Sequence, residues 1–349
     1  MLQRLYVHNF RCLENFELNL KDLPSSLLIG KNGSGKSTVG NVLEIFQKIG
    51  RGTNRVSELV QRKDFAQGRT ETPIRFELEV LLDGKLFKYV LALEIPEDFK
   101  EARILKEEAI VDGESIFIRE NSELSYLHVD VYENAEERTL NVDWNLASLP
   151  IISFLPLLPL RDWLDQMIIL APIPCLMNGE SQGGTLSPER DGSNFGDWFL
   201  EVLTQFPRAY TYIDDYLKLI MPDIEEFQNN PTGKDTKELI VKFQREKDNL
   251  NVSFEDLSDG EKCFFLCALI IAANKSYGPL FCFWDEPDNY LGLSEVGHFI
   301  VALRRAFSTE NGGQFTATSH NPEAIRKFSV IILISFIEKV TWNQHESNC

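Results

Sequence analysis

Hydrophobic and polar positions change period several times along this chain, and each change marks an element. Residues 2–10 and 16–20 alternate apolar with polar side chains, as half-buried strands do, and they are spaced to pair. Leu27-Leu28-Ile29 is a short continuous apolar run, the mark of a strand buried on both faces; Val39, Val42, Leu43 and Phe46 then recur at helical spacing. Ile74, Phe76, Leu78 and Val80 alternate up to Asp83-Gly84, and Phe87, Tyr89, Leu91 and Leu93 return, which predicts a hairpin. A second hairpin follows, with residues 104–111, a turn at Asp112-Gly113, and residues 115–119. Residues 120–145 are acidic and read as loop. Residues 150–174 mix prolines with large apolar side chains and predict short helical pieces packed under the sheet. Residues 178–194 are glycine-rich and polar, a surface loop or linker. Helix is predicted over 195–219, a strand pair within the charged stretch 223–249, a long apolar helix over 263–273, and buried strands at 280–284 and 314–318. There is no heptad run long enough for a coiled-coil arm and no internal repeat.

Composition narrows the class only modestly. With 349 residues, 43% hydrophobic and 25% charged, the chain reads as an ordinary globular protein of one large or two modest domains. A formal net charge of −18 argues against a surface that coats a nucleic-acid backbone, which needs clustered positive charge. The most basic window is 47–70, with Lys48, Arg51, Arg55, Arg62, Lys63 and Arg69. A solvated loop is the favoured reading, and a nucleic-acid contact is the alternative. The six cysteines show no paired spacing and sit mostly in apolar runs, so they read as reduced core thiols. No signal peptide opens the sequence, and the apolar runs 151–160, 167–177 and 330–337 are too short to span a bilayer. The expectation is a soluble cytoplasmic protein with no membrane partner.

The candidate chemistry begins between the buried strand and the first helix. Residues 30–37, Gly-Lys-Asn-Gly-Ser-Gly-Lys-Ser, fit G-x-x-x-x-G-K-[ST] in the required order of strand, loop and helix. Gly30, Gly33 and Gly35 let the backbone turn tightly and bring its N–H groups against phosphate oxygens. The helix points its positive end at the same phosphates. Gly30, Lys31, Asn32, Gly33, Ser34, Gly35, Lys36, Ser37 and Thr38 form the expected cradle, with Lys36 on the β- and γ-phosphates and Ser37 on Mg²⁺. Much later, Ser258 stands where an N-cap would precede the 263–273 helix, and Gly260 lets an anion approach that helix start. The strand at 280–284 ends in Asp285-Glu286-Pro287. Asp285 is placed to hold the magnesium shell, and Glu286 to act as base toward an attacking water. His320, just after the 314–318 strand, can hydrogen-bond the γ-phosphate or orient that water. His8, His128, His298 and His345 have no comparable setting.

Together these segments resemble an ATP-binding-cassette-type ATPase of the RecF/SMC class. The resemblance runs from Asn9-Phe10-Arg11 through GKNGSGKST, LSDGEK and FCFWDEP to TSHNP, and so covers both ends of the sequence. It is nearest to the compact ATPases of bacterial anti-phage systems, such as the Septu and retron-associated ATPases. The fold implied is an α/β ATPase head with a mixed central sheet, an antiparallel β-subdomain and a helical lobe. The division expected is a nucleotide-binding lobe over 1–200, a small insertion over 201–250, and a second lobe over 251–349 carrying signature, acid strand and histidine. The resemblance further implies ATP and Mg²⁺ as cofactors and a homodimer or higher homo-oligomer whose heads share ATP in pairs, so that Ser258 and Gly260 act in trans. Arg11 falls where the family has an arginine near the nucleotide, and Gln182 is a faint match to its Q-loop glutamine. The segment after Pro287 departs from the family, reading Asp288-Asn289-Tyr290-Leu291-Gly292-Leu293. A transporter cassette fits less well: its phosphate loop and acid strand lie closer in sequence, and its signature reads Leu-Ser-Gly-Gly-Gln.

No nuclease cluster is visible, and Asp214-Asp215 reads as a solvated helix face. So little sequence follows His320 that a fused nuclease of the overcoming-lysogenization-defect type is not expected. Any nuclease or toxin controlled by this ATPase is then a separate subunit. The leading expectation is an ATP-hydrolysing switch in anti-phage defence. The alternatives are an ATP-loaded scaffold that holds a nuclease inactive, and a RecF-like repair ATPase.

Overall fold

A computed structural model describes residues 1–129, 135–152, 154–245, 248–307, 312–328 and 330–334. His345, Cys349 and the end of the 330–337 run lie outside the described residues.

Among these residues the centre is a five-stranded sheet in the order Ile168–Leu170, Phe281–Trp284, Gln314–Thr318, Ser25–Ile29, Ile331–Leu333, with every neighbouring pair parallel. Such strands need apolar side chains on both faces, and the sequence supplies them by alternation. Leu27, Leu170, Cys282, Trp284, Phe315 and Ala317 face one core. Leu28, Ile169, Phe281 and Phe283 face the other. The helices Phe195–Gln205, Ala209–Ile220, Asp259–Tyr277 and Leu293–Phe307 cover the first face. The helices Lys36–Gly50 and Leu158–Asp165 cover the second, beneath an eight-stranded sheet.

That eight-stranded sheet is antiparallel, ordered Phe16–Asn19, Leu2–His8, Ile74–Leu82, Lys85–Glu94, Arg103–Val111, Glu114–Glu120, Glu123–Val129, Ala135–Asn141. Its two sequence-predicted hairpins turn at Asp83-Gly84 and Asp112-Gly113, where all four residues have positive φ, the condition that lets a two-residue turn follow the strand twist. The expected mixture of parallel and antiparallel strands is therefore present, sorted into separate sheets. Gln314, fully buried, ties the two together: its amide accepts from Leu2 N at 2.7 Å and donates to the carbonyls of Leu2, Leu20 and Leu23.

Five sequence expectations need correction. Within 120–145, residues 123–129 and 135–141 are not loop but the last two strands of the antiparallel sheet. Leu124 is buried whereas residues 136–140 are all exposed, so the backbone ladder forms with little apolar alternation to announce it. Residues 150–174 hold, besides the helix Leu158–Asp165, the edge strand Ile168–Leu170, too short to show a period. The 223–249 pair is larger than expected: Ile224–Pro231, Lys237–Arg245 and Asp248–Ser253 pair in sequence, and Glu180–Ser181 adds an edge. The 195–219 helix breaks in two at Phe206-Pro207, where proline cannot continue the hydrogen-bond ladder. Cys263, Cys267 and Cys282 are buried as expected, but Cys12 is half-buried and Cys175 exposed. No described helix is long and apolar enough to cross a membrane.

The antiparallel sheet also encloses a buried ion pair, Arg119 with Glu107, both side chains without solvent exposure. Arg119 donates to the carbonyls of Asn121, Leu146 and Asp143, and Glu107 accepts from Ser148 N, Leu149 N and the Tyr89 hydroxyl. Full pairing is what makes two buried charges tolerable. Burial, followed by the Glu107 charge, pushes the Tyr89 phenol well above its usual range.

Candidate nucleotide site

All five central strands run parallel, so their carboxyl ends share one edge, where α/β folds place ligands. The phosphate-loop strand Ser25–Ile29 and the acid strand Phe281–Trp284 flank the strand that leads to His320. The order alone brings residues 30–37, 285–286 and 320 together.

The phosphate loop is built for an anion. Gly33 and Gly35 have φ of 78° and 101°, and Gly35 is the N-cap of the helix Lys36–Gly50 with no side chain capping it. A Cβ on Gly35 would lie 2.6 Å from the Leu13 side chain, and one on Gly30 would lie 2.3 Å from the Ile334 carbonyl oxygen. The first N–H groups of this helix are thus left for something other than a side chain. Lys36, itself buried, donates through Nζ to the carbonyls of Gly30 at 2.9 Å and Lys31 at 3.3 Å, folding its charge across the loop. The Ser34 hydroxyl is buried without a hydrogen-bond partner. A phosphate group fits this set of open N–H groups, a cation and an orphaned hydroxyl. Lys31, Asn32 and Ser37 are exposed, and Thr38 is buried with its hydroxyl 3.4 Å from Cys12 Sγ.

Helix and acid strand touch directly. A Cβ on Gly40 would sit 2.6 Å from the Phe283 ring, so glycine is what allows this approach. Asp285 follows the acid strand at its carboxyl end, two residues beyond Phe283, where the alternation of the strand returns to the same face. A hydroxyl and a carboxylate from these two elements are hard oxygen ligands suited to Mg²⁺. The Thr318 hydroxyl donates to Asp285 Oδ1 at 2.5 Å and accepts from Glu286 N at 2.9 Å. Glu286 has φ of 51°, a left-handed backbone unusual for this side chain. Its Oε2 accepts from Asn289 Nδ2 at 2.7 Å, and its Oε1 lies 3.6 Å from His320 Nε2. Glu286 and His320 keep partial exposure, 35% and 43%, so a water has access to both.

The signature segment lies on the other face of the sheet. Ser258 caps the helix Asp259–Tyr277 in a full capping box: Glu261 N donates to Ser258 Oγ, and Ser258 N donates to Glu261 Oε2 at 2.8 Å. Gly260 packs on the loop after the acid strand, where a Cβ would meet the Tyr290 carbonyl oxygen at 3.1 Å. The phosphate-loop helix is in one core and the signature helix in the other, so a single chain holds the two motifs on opposite sides of its central sheet.

Arg11 follows Phe10 with φ of 51°, and its Nε donates to Asp64 at 2.9 Å, turning the guanidinium away toward that carboxylate. Its neighbours Cys12 and Leu13 lie against Gly35. Gln182 is exposed beside a different helix, its N–H donating to Asp197 Oδ1. In the basic window, Lys48 pairs with Glu44, Arg69 with Glu14, and Arg51 donates to the carbonyls of Asp165 and Pro188. Arg55, Arg62 and Lys63 stay exposed.

Several residues around the site escape a sequence reading. Thr318 is an ordinary strand residue until the strand order puts it between two acids. Arg190 crosses from the 178–194 loop to Asn41 and Glu44 of the phosphate-loop helix. Burial opposes the Glu44 charge, but hydrogen bonds from Lys48 and Arg190 outweigh it and hold that carboxyl below its usual value.

A family model described as "AAA ATPase domain" matches residues 1–143, and one described as "AAA domain, putative AbiEii toxin, Type IV TA system" matches residues 185–326. No curated protein matches the chain significantly. Among solved structures, an SmcHead bound to the C-winged helix domain of ScpA aligns over 96% of this chain and 94% of its own, at 14% identity and TM-score 0.54. An SMC head domain from Thermotoga maritima aligns over 96% and 95%, at 14% identity and TM-score 0.46. A third, an Smc head domain with an extended coiled coil bound to the C-terminal domain of ScpA derived from Pyrococcus furiosus, aligns over 95% and 92%, at 13% identity and TM-score 0.47. The chain therefore has the fold of an SMC head, and each of its halves is similar to an AAA ATPase domain.

Proposed function

We propose that this chain is a cytoplasmic ATPase subunit that binds MgATP, hydrolyses it, and uses the cycle to open and close a pair of heads. The observation that carries the reading is the cluster of Asp285, Thr318, Glu286 and His320 on the same sheet edge as the phosphate loop. The loop residues 30–38 cradle the phosphates, with Lys36 on the β- and γ-phosphates; Arg11 joins them once released from Asp64. Ser37 and Asp285 hold Mg²⁺, which supplies charge neutralisation on the phosphate oxygens. Glu286 takes the proton of the attacking water, and His320 hydrogen-bonds the γ-phosphate. Ser258 and Gly260 complete the site of a second copy; their place on the far side of the sheet supports action in trans. We keep the division into lobes over 1–200 and 251–349 with an insertion between. The cycle would control a toxic or DNA-processing effector on a separate subunit, in defence against phage; what supports a link to toxin systems is the second family description, which names a toxin of a type IV TA system.

The test is Glu286→Gln. We expect turnover to fall by roughly 10²–10⁴-fold, the usual worth of a general base, while an ATP-bound dimer accumulates on size exclusion. Normal turnover in this variant would overturn the assignment. Negligible turnover in the wild type, with tight ATP binding, would replace the switch by an ATP-loaded scaffold.

A further inference from the structure

Thr318 ends the strand Gln314–Thr318, between the phosphate-loop strand and the acid strand, and it is fully buried. On a buried parallel strand a valine would fill the same space, whereas a hydroxyl there costs free energy unless it is bonded. This hydroxyl spends both of its capacities on the acid loop. Its proton goes to Asp285 Oδ1 at 2.5 Å, and its oxygen accepts from Glu286 N at 2.9 Å. A hydroxyl has one proton to give, so the bonds run in one direction, from the Glu286 amide through Thr318 to the Asp285 carboxylate.

Each acid is thereby left with one oxygen to use. Asp285 is held at its N–H, which donates to the Leu170 carbonyl at 2.8 Å, and at Oδ1. Its Oδ2 has no hydrogen bond among the described residues. Glu286 keeps its φ of 51° with its N–H on Thr318, its carbonyl on Asn289 N and its Oε2 on Asn289 Nδ2. Its Oε1 is left toward His320, at 3.6 Å. Thr316, two residues earlier and also buried, is the contrast: its hydroxyl pairs with Ser26 Oγ at 3.0 Å rather than with an acid.

We infer that Thr318 is a positioning residue for hydrolysis: one hydroxyl holds Asp285 with an oxygen free for Mg²⁺ and Glu286 with an oxygen free for the attacking water. The role deepens the hydrolytic reading above and rests on it. A hydroxyl that only satisfied its own burial would be exchangeable for a methyl at a cost in stability alone. One that sets two carboxylates of the reaction relative to each other is not, because small misplacements of such groups cost large factors in rate.

The experiment compares the wild type with Thr318→Val, Thr318→Ser, Thr316→Val and Glu286→Gln. It measures steady-state ATP turnover, binding of a fluorescent ATP analogue in EDTA and across a Mg²⁺ series, and chemical denaturation. We expect Thr318→Val to lower kcat by about 10–100-fold and to raise the Mg²⁺ midpoint of analogue binding by about tenfold. Analogue affinity in EDTA should stay within about twofold of wild type, because the phosphate loop is untouched. Thr318→Ser keeps the hydroxyl and should restore turnover and Mg²⁺ midpoint to within about threefold, and Thr316→Val should leave both within about twofold. Turnover of Thr318→Val within about twofold of wild type, or an unmoved Mg²⁺ midpoint, would overturn the inference. So would equal losses in Thr318→Ser or Thr316→Val, or a matching loss of affinity in EDTA. If Thr318→Val does not fold, Thr318→Ala removes the hydroxyl without adding a methyl and decides by the same criteria. Failure of both to fold would make the hydroxyl a requirement of folding and overturn the inference too. Failure of the hydrolytic reading itself looks different: Glu286→Gln then turns over like wild type, and the Mg²⁺ series still decides whether Thr318 orders Asp285.

Discussion

The two helix starts that carry the anion-binding motifs are finished in opposite ways. At the phosphate loop, Gly35 caps its helix with a left-handed backbone and no side chain, leaving the first N–H groups without a side-chain acceptor. At the signature segment, Ser258 and Glu261 satisfy their helix reciprocally. An uncapped start surrounded by glycines gives up local stability to keep donors for a ligand. A boxed start is stable alone, and an incoming phosphate must compete with the Glu261 carboxylate for the same hydroxyl. One end keeps its donors open; under the proposed function, the other would take a phosphate only when a partner offers enough in exchange.

The sharpest way to break this contrast is Gly35→Val. The new side chain meets Leu13 and Cys12 and the backbone must leave φ of 101°, so ATP affinity should fall by roughly 100-fold or more in equilibrium titration. Unchanged affinity would mean that the open helix start is not the phosphate site. Ser258→Ala sharpens it from the other side. It should cost about 1 kcal/mol of stability in chemical denaturation while the isolated head binds ATP as before. A loss of ATP binding by the monomer would place Ser258 in its own chain's site. The smallest effect concerns acid. Glu44, on the phosphate-loop helix, has a carboxyl lowered from 4.5 by Lys48 and Arg190. Its contribution to stability is therefore complete above pH 4.5 and is lost as pH falls through the lower folded value. Glu44→Gln should flatten that part of the stability curve, and an identical acid limb in the variant would show that this anchor contributes nothing.

How much of this was legible beforehand follows from how local each feature is. The phosphate loop, the Asp285-Glu286 pair and the Ser258 cap are contiguous, because each is a strand end or helix start whose chemistry resides in three to eight neighbouring residues. The two hairpins announced themselves through Asp-Gly turns. What could not be read depends on which strands become neighbours. Thr318 bridges two acids, and Arg190 braces a helix nearly 150 positions away in sequence. The strands Glu123–Val129 and Ala135–Asn141 escape because most of their described side chains are exposed, so no apolar period marks them. Arg11 shows the limit of analogy: its backbone lies beside the phosphate loop, but its guanidinium is held by Asp64.

The position of Ser25–Ile29 between Gln314–Thr318 and Ile331–Leu333 has a consequence for biogenesis. Both hydrogen-bonding neighbours of the phosphate-loop strand follow it in the chain by nearly 300 residues or more. Early hairpins can pair as they emerge, but this strand waits, and closing so long a loop is slow. Until residues 314–333 have been made, the phosphate loop therefore has no shaped pocket, and nucleotide capture must wait for them.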